Sequence, residues 1–520
     1  MRVKGGYAVG SGYLLGMDIG TTNIKAVLTT AEGERVASAS RGNRLICPGR
    51  GMAEQDALQW WDSAVEIFRE LGMKAGADGL AGIRAIAVSS QTVTLLPLDA
   101  QGVPLRNAVI WMDGRCGDEL KELLAAVGRQ RFVEIVGGQP DVAFLPAKLL
   151  WFKRHEPGLY ARTACFVQAN GYVNYRLTGR ISLDLDQAAR TQCMELSTLT
   201  WSDEIGRAAG VELGRLLPAP RQVTDVIGTV TEAAAAETGL PAGIPVAAGC
   251  CDALAAMYAT GLCETGEAGE SSGTTSLVFV GSEAPSAMDL PIVARPCPVK
   301  GVPYLFDAPV NTTGAAVRWY LDTLGQEEKR RAQETGEDVY ALLNQMAKQA
   351  QPGSGGLIFL PYLRGERAPV WNPHAKGAFL GLSLNTQRRD MVRAIFEGTA
   401  YALRHVLETI EQAGAGTRLL RVAGGGAKSM TWAKIKASVL KMPVLLMDEQ
   451  CGDVPLGDAL IAGQAAGLFT DLSRQAKGLL RVRCVVEPEP AWSEVYDKLY
   501  PLYRSMYGHL EPDYEALSGI

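Results

Sequence analysis

LLGMDIGTTNIKAVLTT, residues Leu14–Thr30, reads as two apolar strands pinched around Gly20-Thr21-Thr22. The first, Leu14 to Ile19, is almost wholly apolar, the pattern of a strand buried on both faces. The second places Ile24, Ala26 and Leu28 on one face with period two. Gly20 supplies a backbone conformation closed to other residues. Thr21 and Thr22 add hydroxyls beside main-chain N–H groups, and such a turn can cradle a phosphate. Asp18 sets one carboxylate next to that cradle. A carboxylate repels phosphate unless a cation lies between them, so the turn points to magnesium–nucleotide chemistry. An ordinary hairpin with a capping Asp has the same pattern.

A second copy shifts the balance. AGESSGTTSLVFVG, Ala268–Gly281, again runs a Gly-Thr-Thr turn into a strand, Ser276–Val280. Two such hairpins far apart in one chain suggest duplicated halves that grip one polyphosphate from both sides.

The chain has 520 residues, enough for two to four domains. Its 47% hydrophobic and 21% charged content suits globular domains with large cores. A net charge of −5 without long runs of either sign argues against a nucleic-acid surface. The ten cysteines form no CxxC pair, the scatter expected of reduced thiols in a cytoplasmic protein. The stretch MRVKGGYAVGSGY lacks the apolar core of a signal peptide. No apolar window is long enough for a transmembrane helix, so no membrane partner is expected.

Outward from the hairpins the pattern is strand then helix, repeated. Met52–Glu70 has helical spacing, with Trp60, Trp61, Val65 and Phe68 on one side. Ile83–Ser89 is a buried strand ending in Ser89-Ser90-Gln91-Thr92, and Ala108–Met112 ends in Trp111-Met112-Asp113-Gly114-Arg115. Polar groups at the carboxyl ends of buried strands are where α/β proteins build sites. Asp113 and Arg115 read as a structural pair, whereas Gln91 has no evident capping role and reads as functional. Leu183–Gln192 reads as a polar loop over a cleft. Asp252, in Gly249-Cys250-Cys251-Asp252-Ala253, sits where a strand gives way to an Ala-rich helix. It fits either a helix cap or a general base. Gly424-Gly425-Gly426-Ala427 follows the strand Leu419–Ala423 and would let a ring or a phosphate lie against backbone. No GxxxxGK[ST] loop, HExxH, EF-hand loop or zinc spacing is present. None of the four His clusters with Cys.

With these pieces in place the chain resembles the FGGY carbohydrate kinases, in layout the xylulokinase-like members. The resemblance covers nearly the whole sequence. It rests on MDIGTTNIKAVL at 17–28, EQDALQWW at 54–61, IWMDGRC at 110–116, PAKLLWFKRHEP at 146–157 and GCCDA at 249–253. It continues through SSGTTS at 271–276, FLPYLRGERAPVWNP at 359–373, GAFLGLSLNTQRRDMVRAIFEG at 377–398 and GGGAKSMTW at 424–432. The run from Gly377 to Glu397 fits the family's C-terminal signature. The upstream signature is met from Lys148 through His155, while Ala143 and Leu145 depart from it.

The resemblance implies an α/β fold of two actin/ribonuclease-H-like domains flanking a cleft. We place them at 12–258 for the sugar side and 259–485 for the ATP side, with a helical tail at 486–520. It implies ATP and Mg2+ as cofactors, a small sugar or polyol as partner, and a homodimer as one assembly. Asp252 matches the catalytic base and a sugar contact, and Asp18 the carboxylate near Mg2+. Thr21, Thr22, Gly273 and Thr274 match the phosphate turns. Gly314 matches the helix entry on the phosphate side, and Gly425, Gly426 and Ala427 the adenosine side. Gln91 and Thr92 fall at the sugar.

The departures concern the acceptor. Xylulokinases usually carry Gln-Met-His-Gly where this chain has Gln91-Thr92-Val93-Thr94, and glycerol kinases carry Arg-Glu at Thr92 and Val93. Xylulokinases tend to have Asn after the catalytic Asp, where this chain has Ala253. The expected function is ATP-dependent phosphorylation of a pentulose such as D-xylulose. The alternatives are another ketose or a polyol (ribulose, erythritol, glycerol-like), a non-catalytic actin-like ATP switch, or a sugar-binding regulator on an inactive kinase fold.

Overall fold

The computed structural model describes residues 12–518 except 263, 287, 300, 449, 450 and 480. The stretch 1–11, most of the segment read above as free of a signal peptide, lies outside the described residues.

Two sheets carry the fold, and each is built the same way. In the first, Tyr13–Ile19, Asn23–Thr30 and Arg35–Gly42 form an antiparallel meander. Ile83–Ser90 joins parallel to Tyr13–Ile19 on its other side. Pro245–Ala247 and Cys250–Cys251 then pair parallel to Ile83–Ser90, and Val226–Thr229 closes the edge. In the second, Glu267–Ser272, Ser276–Ser282 and Val302–Val310 form the meander, with Val293–Val299 at its edge. Leu419–Gly424 pairs parallel to Glu267–Ser272, followed by Val444–Met447 and an antiparallel Val482–Val486. With the edge strand Val293–Val299 left out of the numbering, both sheets run third–second–first–fourth–fifth, the duplication that the paired hairpins implied.

Alternation along Tyr13–Ile19 explains its apolar composition. Leu15, Met17 and Ile19 join Ile24, Ala26 and Leu28 in a core under the helix Ala57–Ala81, with Trp60 and Phe68. Leu14 and Gly16 face the other way, toward the helix Val454–Ala465. A Cβ on Gly16 would lie 1.9 Å from the Pro455 carbonyl, so this layer closes only with glycine there. Asp18 shares that face by period two. The helix Val454–Ala465 packs on the first sheet and crosses the helix Asp252–Thr260, which packs on the second. At the crossing a Cβ on Gly457 would lie 2.0 Å from the Ala255 carbonyl. The crossed pair of small-residue helices is the joint between the halves. The terminal helix Pro490–Ser518 docks Tyr496 and Tyr503 against Tyr362 and Tyr401.

Several expectations need correction. The helix expected from Met52 begins at Ala57, because Glu54–Gln55 is drawn into a short strand with Ala108–Val109. The strand expected over Ala108–Met112 stops at Val109 for the same reason. Leu183–Gln192 is not a loop: Leu183–Asp184 is a strand and Leu185–Arg190 a helix, capped by Asp184 accepting from the Gln187 N–H. Its polar residues are buried among themselves, a pairing that local hydropathy does not encode. Gly20 is not among the residues with positive φ. Glycine is required there because a Cβ would lie 2.8 Å from the Asn23 carbonyl. Among the described residues no helix is long and apolar enough to cross a membrane, and no disulfide joins the nine described cysteines.

Candidate active site

Each Gly-Thr-Thr turn sits between the first two strands of its sheet, so the duplication sets one turn at the same place in each half. In the first turn the Thr21 hydroxyl donates to Gln91 Oε1 at 2.8 Å and accepts from Trp111 Nε1 at 3.0 Å. Gln55 Nε2 donates to the Thr21 carbonyl at 2.8 Å, and Gln91 Nε2 donates to Gln55 Oε1. Gln91 is thus fully buried and ties the first Gly-Thr-Thr turn to the strand end. Thr22 is exposed. The Thr92 hydroxyl is buried without a hydrogen-bond partner. Arg367, from the second half, reaches across so that its guanidinium lies 5.6 Å from the Trp111 ring, while its Nε donates to Asn311 Oδ1 at 2.9 Å.

The second turn opens on a cavity of about 540 Å3. Gly273, Thr274, Gly314, Gly425 and Gly426 line it on one side, and Phe396, Trp432 and Asn344 on another. Trp432 stacks on Phe396 with ring centroids 5.3 Å apart, and its Nε1 donates to Thr399 Oγ1 at 3.1 Å. Gly314 N donates to the Gly273 carbonyl at 3.1 Å, an approach that a side chain would block. The glycines at 424 and 426 are fixed by the hairpin itself, since Cβ atoms there would meet Ser272 at 2.6 and 2.1 Å. Gly425 has no such neighbour nearer than 3.8 Å and is free to face the cavity. Ala427 is buried behind it, its carbonyl accepting from Arg483, and does not line the cavity. Thr21 and Thr22 belong to the other half and do not line it either.

Asp252 is the first residue of its helix, not its cap. Cys251 caps it, its Sγ accepting from Ala253 N at 3.3 Å. Asp252 Oδ1 accepts from Ala253 N at 2.7 Å and from Cys251 Sγ at 3.0 Å. Both donors fall on one oxygen, which leaves Oδ2 to take a proton. Burial raises the Asp252 pKa, opposed by the Cys251 bond and the Arg190 charge. Burial and the charge of Asp252 hold the Asp18 carboxyl well above its ordinary range, and Asp18 Oδ1 has no partner.

Residues 13–259 match the N-terminal domain of the FGGY family of carbohydrate kinases, and residues 270–466 match the C-terminal domain. The chain belongs to that family. This FGGY kinase is a phosphotransferase. It is 31% identical over 471 residues to a glycerol kinase of Citrifermentans bemidjiense, covering 88% of this chain and 91% of that one. The crystal structure of xylulose kinase from Rhodospirillum rubrum superposes with a TM-score of 0.86 at 32% identity, over 97% of this chain and 100% of that one. The structure of gluconate kinase from Lactobacillus acidophilus does so at 0.87 and 28%, over 97% and 99%.

The kinase site holds residues that reading the sequence missed. Asp458, on the helix Val454–Ala465, is fully buried and accepts from Ser89 Oγ at 2.8 Å. Burial and the charge of Asp18 raise its pKa well above the ordinary range. Its signal was one acid in an otherwise Ala- and Gly-rich helix. Asp18, Asp252, Asp453 and Asp458 thus repel one another. Among the described residues no group of three or more His, Cys, Asp or Glu could hold a metal ion unaided. That donor set fits magnesium held by one or two carboxylates together with phosphate oxygens and water.

Behind Asp252 lies a second missed cluster. Arg190 pairs with Asp186 at 2.9 Å and with Asp307 of the second sheet at 2.5 Å, all three buried. Asp186 Oδ2 in turn accepts from Cys251 N at 3.0 Å. One buried chain therefore runs from the second half to the residue before Asp252. Arg115 pairs with both Asp113 and Glu54, in keeping with the structural reading of Asp113 and Arg115.

Proposed function

We propose that this kinase transfers the γ-phosphoryl group of ATP to a hydroxyl of a small sugar, a pentulose such as D-xylulose, with Asp252 as general base. The observation that carries the reading is the placement of Asp252. It is a buried carboxylate with raised pKa, both of its donors sit on Oδ1, and its charge acts on Asp18 beside the first Gly-Thr-Thr turn. Oδ2 takes the acceptor proton as the sugar oxygen bonds to phosphorus and the bond to the bridging oxygen breaks. Magnesium, when bound, neutralises charge at the phosphates, and Asp18, with its unpartnered Oδ1, would hold it. Gly273, Thr274 and Gly314 hold the phosphates through backbone, and Gly425, Gly426 and Trp432 flank the adenosine. Arg367 over Trp111 helps close the sugar side and exclude water.

A second reading, another ketose or a polyol, is favoured by Val93 and Ala253, which stand where the xylulokinase pattern has His and Asn. Neither offers the long polar side chain expected at a xylulose contact, and relatives act on glycerol and gluconate as well. Coupled ADP release with Mg-ATP separates the two. The panel holds D-xylulose, D- and L-ribulose, L-xylulose, glycerol, erythritol, xylitol, arabinitol and gluconate. A marked rise with D-xylulose above all others supports the first reading. A rise with another acceptor supports the second. ADP release that no acceptor stimulates contradicts both.

A further inference from the structure

The strand Glu267–Ser272 and the helix Met430–Leu440 contribute to one apolar core, Ala268 from the strand and Ala433 and Ala437 from the helix. A charge pair is set into this layer. Lys436 Nζ lies 2.8 and 2.6 Å from the two oxygens of Glu270, and both residues are at most 2% exposed. A buried pair of this kind adds little stability over apolar residues of the same volume, because desolvating two charges offsets their attraction. Its directional geometry is what an apolar contact cannot reproduce.

The pair is linked to both ends of the proposed nucleotide cavity. Lys436 is one turn after Trp432, and its ammonium lies 4.5 Å from the centroid of that indole, which forms a wall of the cavity. Glu270 lies three residues before Gly273. Ser276 Oγ donates to Glu270 Oε1 at 2.8 Å and lies 3.0 Å from Thr313 Oγ1, beside Gly314. A single buried chain, Trp432–Lys436–Glu270–Ser276–Thr313, therefore runs from the aromatic wall to the phosphate turn.

We infer that Lys436 and Glu270 are positioning residues that fix the spacing between the aromatic wall and the Gly273–Thr274 turn, and so set the affinity for ligands that engage both ends. The inference rests on the nucleotide site proposed above. Nucleosides, which touch only the wall, are insensitive to the pair. Nucleoside di- and triphosphates, which must reach the turn in register, depend on it.

The test compares the wild-type chain with Lys436→Met/Glu270→Leu, which removes both charges together, and with Ser276→Ala, which breaks the relay alone. Mg-ADP affinity is read by calorimetry, adenosine affinity by ligand-observed NMR, and folding by the melting temperature. The double variant is expected to melt near the wild type, to bind Mg-ADP about ten-fold more weakly and to bind adenosine unchanged within about two-fold. Ser276→Ala is expected to weaken Mg-ADP in the same sense with an unchanged melting temperature. Wild-type affinity for Mg-ADP in the double variant overturns the inference, as does equal weakening of adenosine and ADP. A wild-type chain that binds neither ligand overturns the nucleotide site itself.

Discussion

Replacing Gly314 with alanine probes the phosphate turn most sharply. The new Cβ would sit 2.3 Å from the Gly273 carbonyl oxygen, where ordinary contact begins at 3.4 Å. The neighbour is backbone, so no side chain can swing away. Either the helix Gly314–Thr323 or the turn must move by about 1 Å, a displacement that can cost about 100-fold in a positioned phosphoryl transfer. The overpacking itself should cost about 1–3 kcal/mol of stability. Gly425→Ala is the control, since its Cβ would find its nearest neighbour at 3.8 Å and needs no movement of the protein. We expect Gly314→Ala to lower the melting temperature and to raise the KM for ATP at least about ten-fold, whereas Gly425→Ala leaves the melting temperature unchanged. Differential scanning fluorimetry and ATP saturation curves give both numbers. A Gly314→Ala enzyme with wild-type melting and wild-type KM would refute the close-approach reasoning.

Further expectations follow from the base and its surroundings. Cys251→Ala removes a donor that lowers the Asp252 pKa, so the acidic limb of the kcat/KM profile should move to higher pH, and Cys251→Ser should restore it; identical limbs in all three enzymes contradict this. Asp307→Asn leaves Arg190 short of a buried partner and should cost about 3–5 kcal/mol of stability, read as a lower denaturant midpoint; an unchanged midpoint contradicts it. Burial, with the Asp186 charge, pushes the Asp184 carboxyl up to about 8. The folded state then keeps a proton that the unfolded chain sheds near its ordinary pKa of about 4. Stability from this group is full below that value and is lost as pH rises toward 8. The melting temperature of the wild type relative to Asp184→Asn should fall across that window, and a constant difference contradicts it.

The elements that could be read from the sequence are those whose information is local. Period-two strands around Gly20 and Gly273, and the strand-to-helix switch at Asp252, give the duplicated architecture because alternation and turn chemistry are encoded within a few residues. Asp458 was hidden because its partner Ser89 lies 369 positions away. Glu270 and Lys436 were hidden for the same reason, since the two partners lie 166 positions apart. Leu183–Gln192 reads as a polar loop because three of its ten residues are charged. Burial came from pairing across the molecule, Arg190 with Asp307, which no local window shows. The cavity wall formed by Phe396, Trp432 and Asn344 draws on three separate helices. Gln91 reads as functional from the sequence, and in the structure its amide is engaged by Thr21 and Gln55.

The most direct test of the account is acceptor-stimulated ADP release by Asp252→Asn, measured beside Mg-ADP binding by the same protein. Asparagine keeps the shape and the Ala253 contact but cannot take a proton. The account predicts turnover lower by about 100- to 10,000-fold with Mg-ADP affinity unchanged. Wild-type turnover in Asp252→Asn would contradict it and remove Asp252 from the chemistry.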